Sequence, residues 1–462
     1  MFLLSPRFRR RLVSTRLRLG ALLLLCGLAS PLFAAEKPNV LFLNIDDLRD
    51  VRAYNPQVKT PNLDRLAAEG VRFDSAYVQA TFCNPSRSSF LTGLRPYRTG
   101  VTDNRAHFRD TVPDVVTLPQ HFRQNGYLTY RFGKIFHGAE NMDDPASWDH
   151  AEYPRNTPAG RGKKHDITGG KIRWCWWAAP DCEDEALADG IIARKAVEFL
   201  EGKHEKPFFL AVGFHKPHDP FVAPKRYFDL YPPESLPLHS DPSHASPTPD
   251  PQMTGWKRIF ETFTPEQERQ FLRAYSAAST FADAQVGKVL GALDRNGLRE
   301  NTIVFLMSDH GYHLGEREWW NKATLYEYST RTPLIARVPG VTAAGRPCRR
   351  IVEFLDLYPT LVELAGLNAP PHLQGRSLVP LLENPDRAWE RPAYSVLRRG
   401  KYGWGRSVRT ENWRYIRWEN APEAEELFDH RTDPGEWRNL AKDPAHAETV
   451  ARLRTLLQTL EE

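Results

Sequence analysis

Two unbroken apolar runs that each end in acids constrain this chain more than any other feature. NVLFLNI, residues 39–45, stops at Asp46 and Asp47, and IVFLM, residues 303–307, is followed closely by Asp309, His310 and Gly311. A strand that is apolar at every position must be covered on both faces, which is the situation of central strands in parallel sheets flanked by helices. A third run, residues 208–214, leads into HKPHDPF, where Pro217 and Pro220 fix an irregular loop bearing His215, Lys216 and His218. In open α/β sheets ligands gather beyond the carboxyl ends of the strands. Taken alone, Asp46 and Asp47 read first as a helix N-cap. A second strand ending in an acid and a histidine at the same sheet edge favours a hard divalent cation, because adjacent carboxylates repel one another without one.

Between these runs lies TFCNPSRSSFLTG, residues 81–93, with Cys83, Pro85 and Arg87 at alternate positions and a possible helix from residue 88. A cysteine opening a helix meets free backbone N–H groups and the positive end of the dipole, a setting that suits anions. Residues 126–137 read as a strand into a turn that ends with Lys134 and His137, and Lys322 follows the Asp309 strand by a loop. Singly, each reads as a solvated surface charge. Their shared placement after strand ends is what assembles them into a candidate site.

Residues 1–35 carry Arg7, Arg9, Arg10, Arg11, Arg16 and Arg18 ahead of an apolar run, 19–28, that is too short to span a bilayer, then Ala34 and Ala35. This is the pattern of a secretory signal, with an uncleaved anchor as the alternative. The whole chain has a formal charge of +5. With those six arginines set aside the remainder is at about −1, which removes the motive for binding nucleic acid or an anionic membrane. Cys175 and Cys182 are close enough in sequence to bridge, as export permits, with two free thiols as the alternative and Cys348 left odd. A capped helix starting at residue 60 and ending at Gly70 is expected, followed by an edge strand up to residue 78, with further helices over 185–200, 265–293, 351–367 and 445–460 and a long surface excursion over 229–253. From about residue 391 short strands such as 407–409 and 413–418 signal a smaller antiparallel sheet.

The motifs DDLR, CNPSRSSFLTG, GKIFH, AVGFHKPH, SDHG, WWNK and ELFDHRTDPGE stand in an order that resembles the type I sulfatases over nearly all of the chain beyond residue 35. The GK-x-x-H spacing, the HKPH loop, the histidine after Asp309 and the close cysteine pair are similar to the iduronate-2-sulfatase branch, with a shorter C-terminal half. The resemblance implies an α/β, alkaline-phosphatase-like sandwich with a large mixed, mostly parallel sheet flanked by helices, plus a small C-terminal antiparallel sheet with one helix. The expected division is a signal peptide over 1–35, a catalytic domain over 36–390 and a small sheet subdomain over 391–462.

The resemblance also implies that a maturation enzyme oxidises Cys83 to formylglycine, and that a calcium ion is held by Asp46, Asp47, Asp309 and His310 together with residue 83. Arg87, Lys134, His137, His218 and Lys322 become catalytic groups. The implied substrate is a sulfated carbohydrate, specifically the terminal 2-O-sulfated uronate of a glycosaminoglycan-type chain. Arg49, Lys216 and Tyr312, with Trp319 and Trp320, are then candidates for gripping the sugar. Another sulfated polysaccharide, a small sulfate ester, or a phosphonate or phosphodiester substrate is the alternative, and a non-catalytic glycan-binding protein is a more distant one. The expected destination is the periplasm or the exterior, by the Sec route rather than the twin-arginine route, with membrane contact only through the signal.

Overall fold

The computed structural model describes residues 37–138, 141–253 and 255–459, and the signal expected over 1–35 lies outside them. The three apolar runs are neighbouring strands in an eight-stranded sheet. Asn39–Ile45 lies between Thr302–Ser308 and Phe208–Phe214 and runs parallel to both, with Ile45 level with Ser308 on one side and Phe214 on the other. Leu128–Gly133 and His150–Glu152 continue the parallel stretch outward. On the opposite flank Leu334–Arg337 pairs antiparallel with both Thr302–Ser308 and Val71–Phe73. The sheet is therefore mixed and mostly parallel, as the sequence predicts.

Every residue of the three central strands is buried. Val40 and Phe42 point into one apolar core, with Phe90 of the helix Cys83–Thr92 and Leu361 of the helix Leu357–Leu364. Leu41, Leu43 and Ile45 point into the other, beneath Ala188–Glu201 and Pro265–Arg295. Helices on both faces explain why apolar residues recur at every position rather than at alternate ones. The longest helix, Pro265–Arg295, opens on a capping box in which Thr264 and Gln267 cap each other's backbone.

Three expectations are corrected. The helix foreseen over 351–367 is only Leu357–Leu364. Ahead of it Val352–Glu353 pairs with Ala76–Tyr77, and Glu353 and Asp356 cap each other around a 3-10 turn, so strand pairing and local capping end the helix early. Cys175 and Cys182 are separate thiols: Cys175 belongs to the apolar core, while Cys182 sits in a turn at the surface whose carbonyl accepts from Arg226. Closeness in sequence does not join the two sulfurs. Finally, the excursion over 229–253 returns to the interior, where buried Gln252 donates to Glu426 Oε2 at 2.7 Å and accepts from the Leu325 N–H at 2.9 Å.

The C-terminal strands Ala393–Arg399, Gly403–Arg409, Trp413–Trp418 and Glu426–Asp429 form a consecutive antiparallel sheet. Ala447–Gln458 covers one face by placing Val450, Leu453 and Leu457 against Val408, Tyr415 and Leu427. Backbone contact ties it to the segment between Ala76–Tyr77 and the helix at Cys83, since Val396 N–H donates to Gln79 O at 2.9 Å. A buried charge network holds it too: Arg414 binds Glu436, and also Glu327 at 2.5 Å and Ser407 Oγ at 2.8 Å. Burial would raise the Glu327 carboxyl, but Arg409, His430 and Arg414 outweigh it and hold it far below the usual range. Removing one partner of such a network leaves buried charge uncompensated and costs about 3–5 kcal/mol. Arg414→Met should therefore lower the thermal unfolding midpoint by several degrees, whereas Arg346→Ala, at an exposed pair with Asp386, should leave it unchanged. Differential scanning calorimetry on the two variants checks this, and equal midpoints would contradict it.

Candidate active site

The site stands where two parallel strands end side by side. Asp46 and Asp47 follow Ile45, and Asp309 and His310 follow Ser308, with all four side chains buried. Asp47 has φ +63°, a left-handed conformation that aspartate tolerates better than most residues. Its N–H donates to Asp309 Oδ1 at 3.1 Å, which locks the two strand ends together. The helix Cys83–Thr92 brings its first residue to the same place, and Ser86 Oγ donates to the Asp309 carbonyl at 2.5 Å.

Arg87, on that helix, has no exposed surface and uses every arm. Nε donates to Asp309 Oδ2 at 2.9 Å, Nη2 to Asp46 Oδ1 at 2.7 Å, and Nη1 to the carbonyls of Lys134 and Ile135 at 2.7 and 2.8 Å. Lys134, following Leu128–Gly133, places Nζ 2.5 Å from Asp46 Oδ2. The backbone approach there needs glycine, because a Cβ on Gly213 would fall 2.0 Å from the Lys134 carbonyl oxygen. Lys322 Nζ lies 2.6 Å from Asp47 Oδ1 and 3.2 Å from Cys83 Sγ. His310 Nε2 is 3.4 Å from that sulfur, with His137 close by. Burial would raise the Cys83 thiol, yet Lys134, Lys322 and His310 prevail and hold it well below its ordinary value.

His218 comes from the loop after Phe208–Phe214. Its Nδ1–H donates to the Asp219 carbonyl at 2.6 Å, leaving Nε2 4.0 Å from Asp47 Oδ2. Burial opposes its charged form, but Asp47 overrides this and lifts it to about 9. His137 is shifted down instead, chiefly by burial. Two fasteners hold the His218 loop. Asp189 accepts the His215 and Lys216 N–H groups at 2.8 Å each, and Lys216 Nζ donates to the carbonyls of His218 and Pro220 at 2.6 and 2.8 Å.

The structure thus brings Asp46, Asp47, Cys83, Arg87, Lys134, His137, His218, Asp309, His310 and Lys322 together. Of the expected sugar-gripping residues it brings Lys216 alone to the same cavity. Arg49 is fully buried, forms a two-pronged pair with Glu316 at 2.9 and 3.3 Å, and is sandwiched by Tyr54 and Tyr328. Tyr312 packs against Phe271 and Tyr275 and donates to the Trp320 carbonyl, while Trp319 and Trp320 are 2% exposed. These four are core, because the loop after Asp309 folds back beneath the long helix. Lys216 does reach the cavity wall, with two of its donors already holding its own loop.

A cavity of about 600 Å³ opens from Asp46, Lys134 and His218. Sequence reasoning missed part of its wall: Tyr153, Arg155, Arg161, Trp176 and Asp189 come from segments without strand-end position or motif. The one available signal was the turn-rich, cationic texture of YPRNTPAGR at 153–161.

The donor set suits a divalent cation. Asp47, Asp309, His310 and Cys83 each offer a ligand atom within 4.8 Å of the others, and Asp46, Asp47 and His218 form a second such group. Burial outweighs Arg87 and His310 at Asp309 and lifts its carboxyl to about 7, the mark of a buried acid short of positive charge.

Residues 38–367 match the Sulfatase family, and residues 315–462 match the family described as N-sulphoglucosamine sulphohydrolase, C-terminal. The chain is 34% identical to a protein named sulfatase from Formosa agariphila, covering 91% of this chain and 86% of that one. It is 35% identical to the iduronate 2-sulfatase of Mus musculus, covering 73% and 70% respectively. Among solved structures it resembles one holding its substrate D-glucosamine-2-N,6-O-disulfate, with a TM-score of 0.75, 24% identity and coverage of 92% and 98%. It also resembles a phosphonate monoester hydrolase from Silicibacter pomeroyi, with a TM-score of 0.75, 25% identity and coverage of 91% and 95%.

After exhaustive chelation and resupply of a divalent cation, the protein should hold about one ion per chain. Asp309→Ala and Asp47→Ala proteins that still unfold cooperatively should hold none. Elemental analysis checks this, and undiminished metal in both variants would refute the assignment of ligands.

Proposed function

The chain belongs to the sulfatase family and hydrolyses sulfate esters, and we propose that its substrate is a sulfated sugar, cleaved as the terminal 2-O-sulfated uronate of a glycosaminoglycan-type chain. The observation that carries the reading is the buried Cys83 at a helix start, with Lys322, His310 and His137 around its sulfur and three carboxylates beside it. The name of the mouse relative supports the uronate, and the cavity has room for a sugar ring beyond Lys134 and His218.

In this proposal a maturation enzyme converts Cys83 to formylglycine, whose hydrate supplies one hydroxyl as nucleophile and a second through which the aldehyde is restored. Asp46, Asp47, Asp309 and His310 would hold a calcium ion, which supplies positive charge to the nucleophile and to the sulfate. Arg87 is saturated by Asp46, Asp309 and two carbonyls, so its work is to fix the carboxylates rather than to touch substrate. Lys134 lies at the cavity side of those carboxylates, where a sulfate oxygen can take up its free donors, and Lys322, held by Asp47 and Cys83, places positive charge beside residue 83. Fixed positive charge that meets charge developing as the S–O bond breaks is typically worth about 3–4 kcal/mol per donor. His218 carries a proton at neutral pH and gives it to the leaving alcohol oxygen. His137, kept neutral mainly by burial, takes a proton from the group at position 83. Export to the periplasm or exterior, directed by residues 1–35, completes the proposal.

A phosphonate or phosphodiester substrate is the second reading, favoured by the similarity to the phosphonate monoester hydrolase, since the same clamp of cations fits a phosphorus oxyanion. An aryl sulfate and an aryl phosphodiester with the same leaving group should differ in kcat/KM in favour of the sulfate by at least about 100-fold, or about 2.7 kcal/mol. A reversed ratio would select the phosphorus reading.

Cys83→Ala should release no sulfate, and Cys83→Ser should turn over at most once, because serine has no second hydroxyl with which to expel the bound group. In the mature protein the peptide containing residue 83 should be lighter than its sequence by the exchange of a sulfur and two hydrogens for one oxygen. Multiple turnovers by the serine variant, counted by sulfate release against enzyme concentration, would sink the mechanism.

A further inference from the structure

Three charged groups at the reacting end of the cavity are already engaged. Asp46 lies between Arg87 and Lys134, Asp189 accepts two backbone N–H groups, and Lys216 donates to two carbonyls. Two cations on the same wall differ. Arg155 and Arg161 line the cavity, both are exposed, and neither guanidinium has an ion pair or hydrogen bond among the described residues.

Their backbone is held in place. Thr157 donates through N and Oγ1 to the Ala186 carbonyl at 2.9 and 3.0 Å, and Asn156 Oδ1 accepts the Ala188 N–H at 2.9 Å. Gly160 sits so close that a Cβ there would lie 2.4 Å from the Ala186 oxygen. A segment pinned at both its middle and its end carries the two arginines at the same cavity that reaches Lys134 and His218. Half-buried Tyr153, edge-on to His215 at 4.9 Å, and half-buried Trp176 provide apolar ring surface on the same wall, as a sugar's C–H face requires.

Resting on the sulfate-ester reading above, we propose that Arg155 and Arg161 form a second anion subsite, which recognises a further negative group of the sugar, a ring carboxylate or a second sulfate, while the scissile sulfate lies at Lys134. A guanidinium offers a planar fork of donors matched to carboxylate and sulfate oxygens, which a lysine does not. Because the subsite is open to solvent its contribution is moderate, salt-screened and present in both ground and transition states. It therefore sets KM rather than kcat.

The test compares three ligands: an aryl sulfate with no other charge, a 2-O-sulfated uronate, and glucosamine 2-N,6-O-disulfate. Calorimetry on Cys83→Ala protein, with and without Arg155→Gln plus Arg161→Gln, should show one or both doubly charged sugars binding about tenfold more weakly without the arginines, and the aryl sulfate unchanged. Weakening of the uronate identifies the carboxylate as the recognised group, and weakening of the disulfate identifies the second sulfate. In turnover the same pair of substitutions should raise KM for that sugar and leave kcat in place. Equal weakening of all three ligands, or none for either doubly charged sugar, would overturn the subsite. Failure of the wild-type protein to release sulfate from any of them would overturn the hydrolase reading instead, and the binding comparison would still decide the role of the two arginines.

Discussion

The Arg87 guanidinium, lying between Asp46 and Asp309, is the interaction on which the rest of the site depends. Two adjacent parallel strands deliver carboxylates within a few ångströms of one another in a place closed to water, and like charges there cannot all persist without a partner. Arg87 supplies that partner from a third element, the buried helix that starts at Cys83. Holding the acids and presenting the cysteine are thus two consequences of one helix placement. The same geometry concentrates Lys134, Lys322 and His310 around the sulfur, which is why burial fails to keep the thiol in its ordinary range.

A second charge cluster, Glu327, Glu436 and His430, has the residue types of a metal site but a different balance. Arg414 and Arg409 neutralise it from the C-terminal sheet, so it serves as a joint between that sheet and the helix Glu327–Thr330. Its counterpart at the active site remains short of positive charge, as the raised Asp309 shows. Two clusters of similar composition therefore differ in the balance that burial and neighbouring charge leave at their carboxylates.

The wall of the cavity follows another logic. The segment carrying Arg155 and Arg161 is outside the sheet and is held by a few backbone bonds to the turn before Ala188–Glu201. Scaffold and reacting groups are fixed by packing of the central strands, whereas this wall can vary in sequence without disturbing them. Division of labour between a rigid sheet edge and appended loops is common where related proteins act on different ligands.

The sequence by itself determined the elements whose physics is local: Asn39–Ile45, Phe208–Phe214 and Trp413–Trp418 appear with the bounds their apolar or alternating patterns predict, and the acids at two strand ends mark the site's position. The resemblance of ordered motifs added the roles expected of Cys83, Lys134, His137, His218 and Lys322. Only the tertiary structure decided which cations face the cavity. Arg49 and Tyr312 are near the strand-end acids in sequence yet buried, since a pairing with Glu316 and a packing against Phe271 draw them under the long helix. Arg155 and Arg161 are far from every motif yet on the wall, and Cys175 and Cys182 are near in sequence yet unjoined. Strand pattern and capping depend on neighbours along the chain, whereas whether a charge is buried with a partner or left facing a cavity depends on groups hundreds of residues away, and no local pattern encodes that.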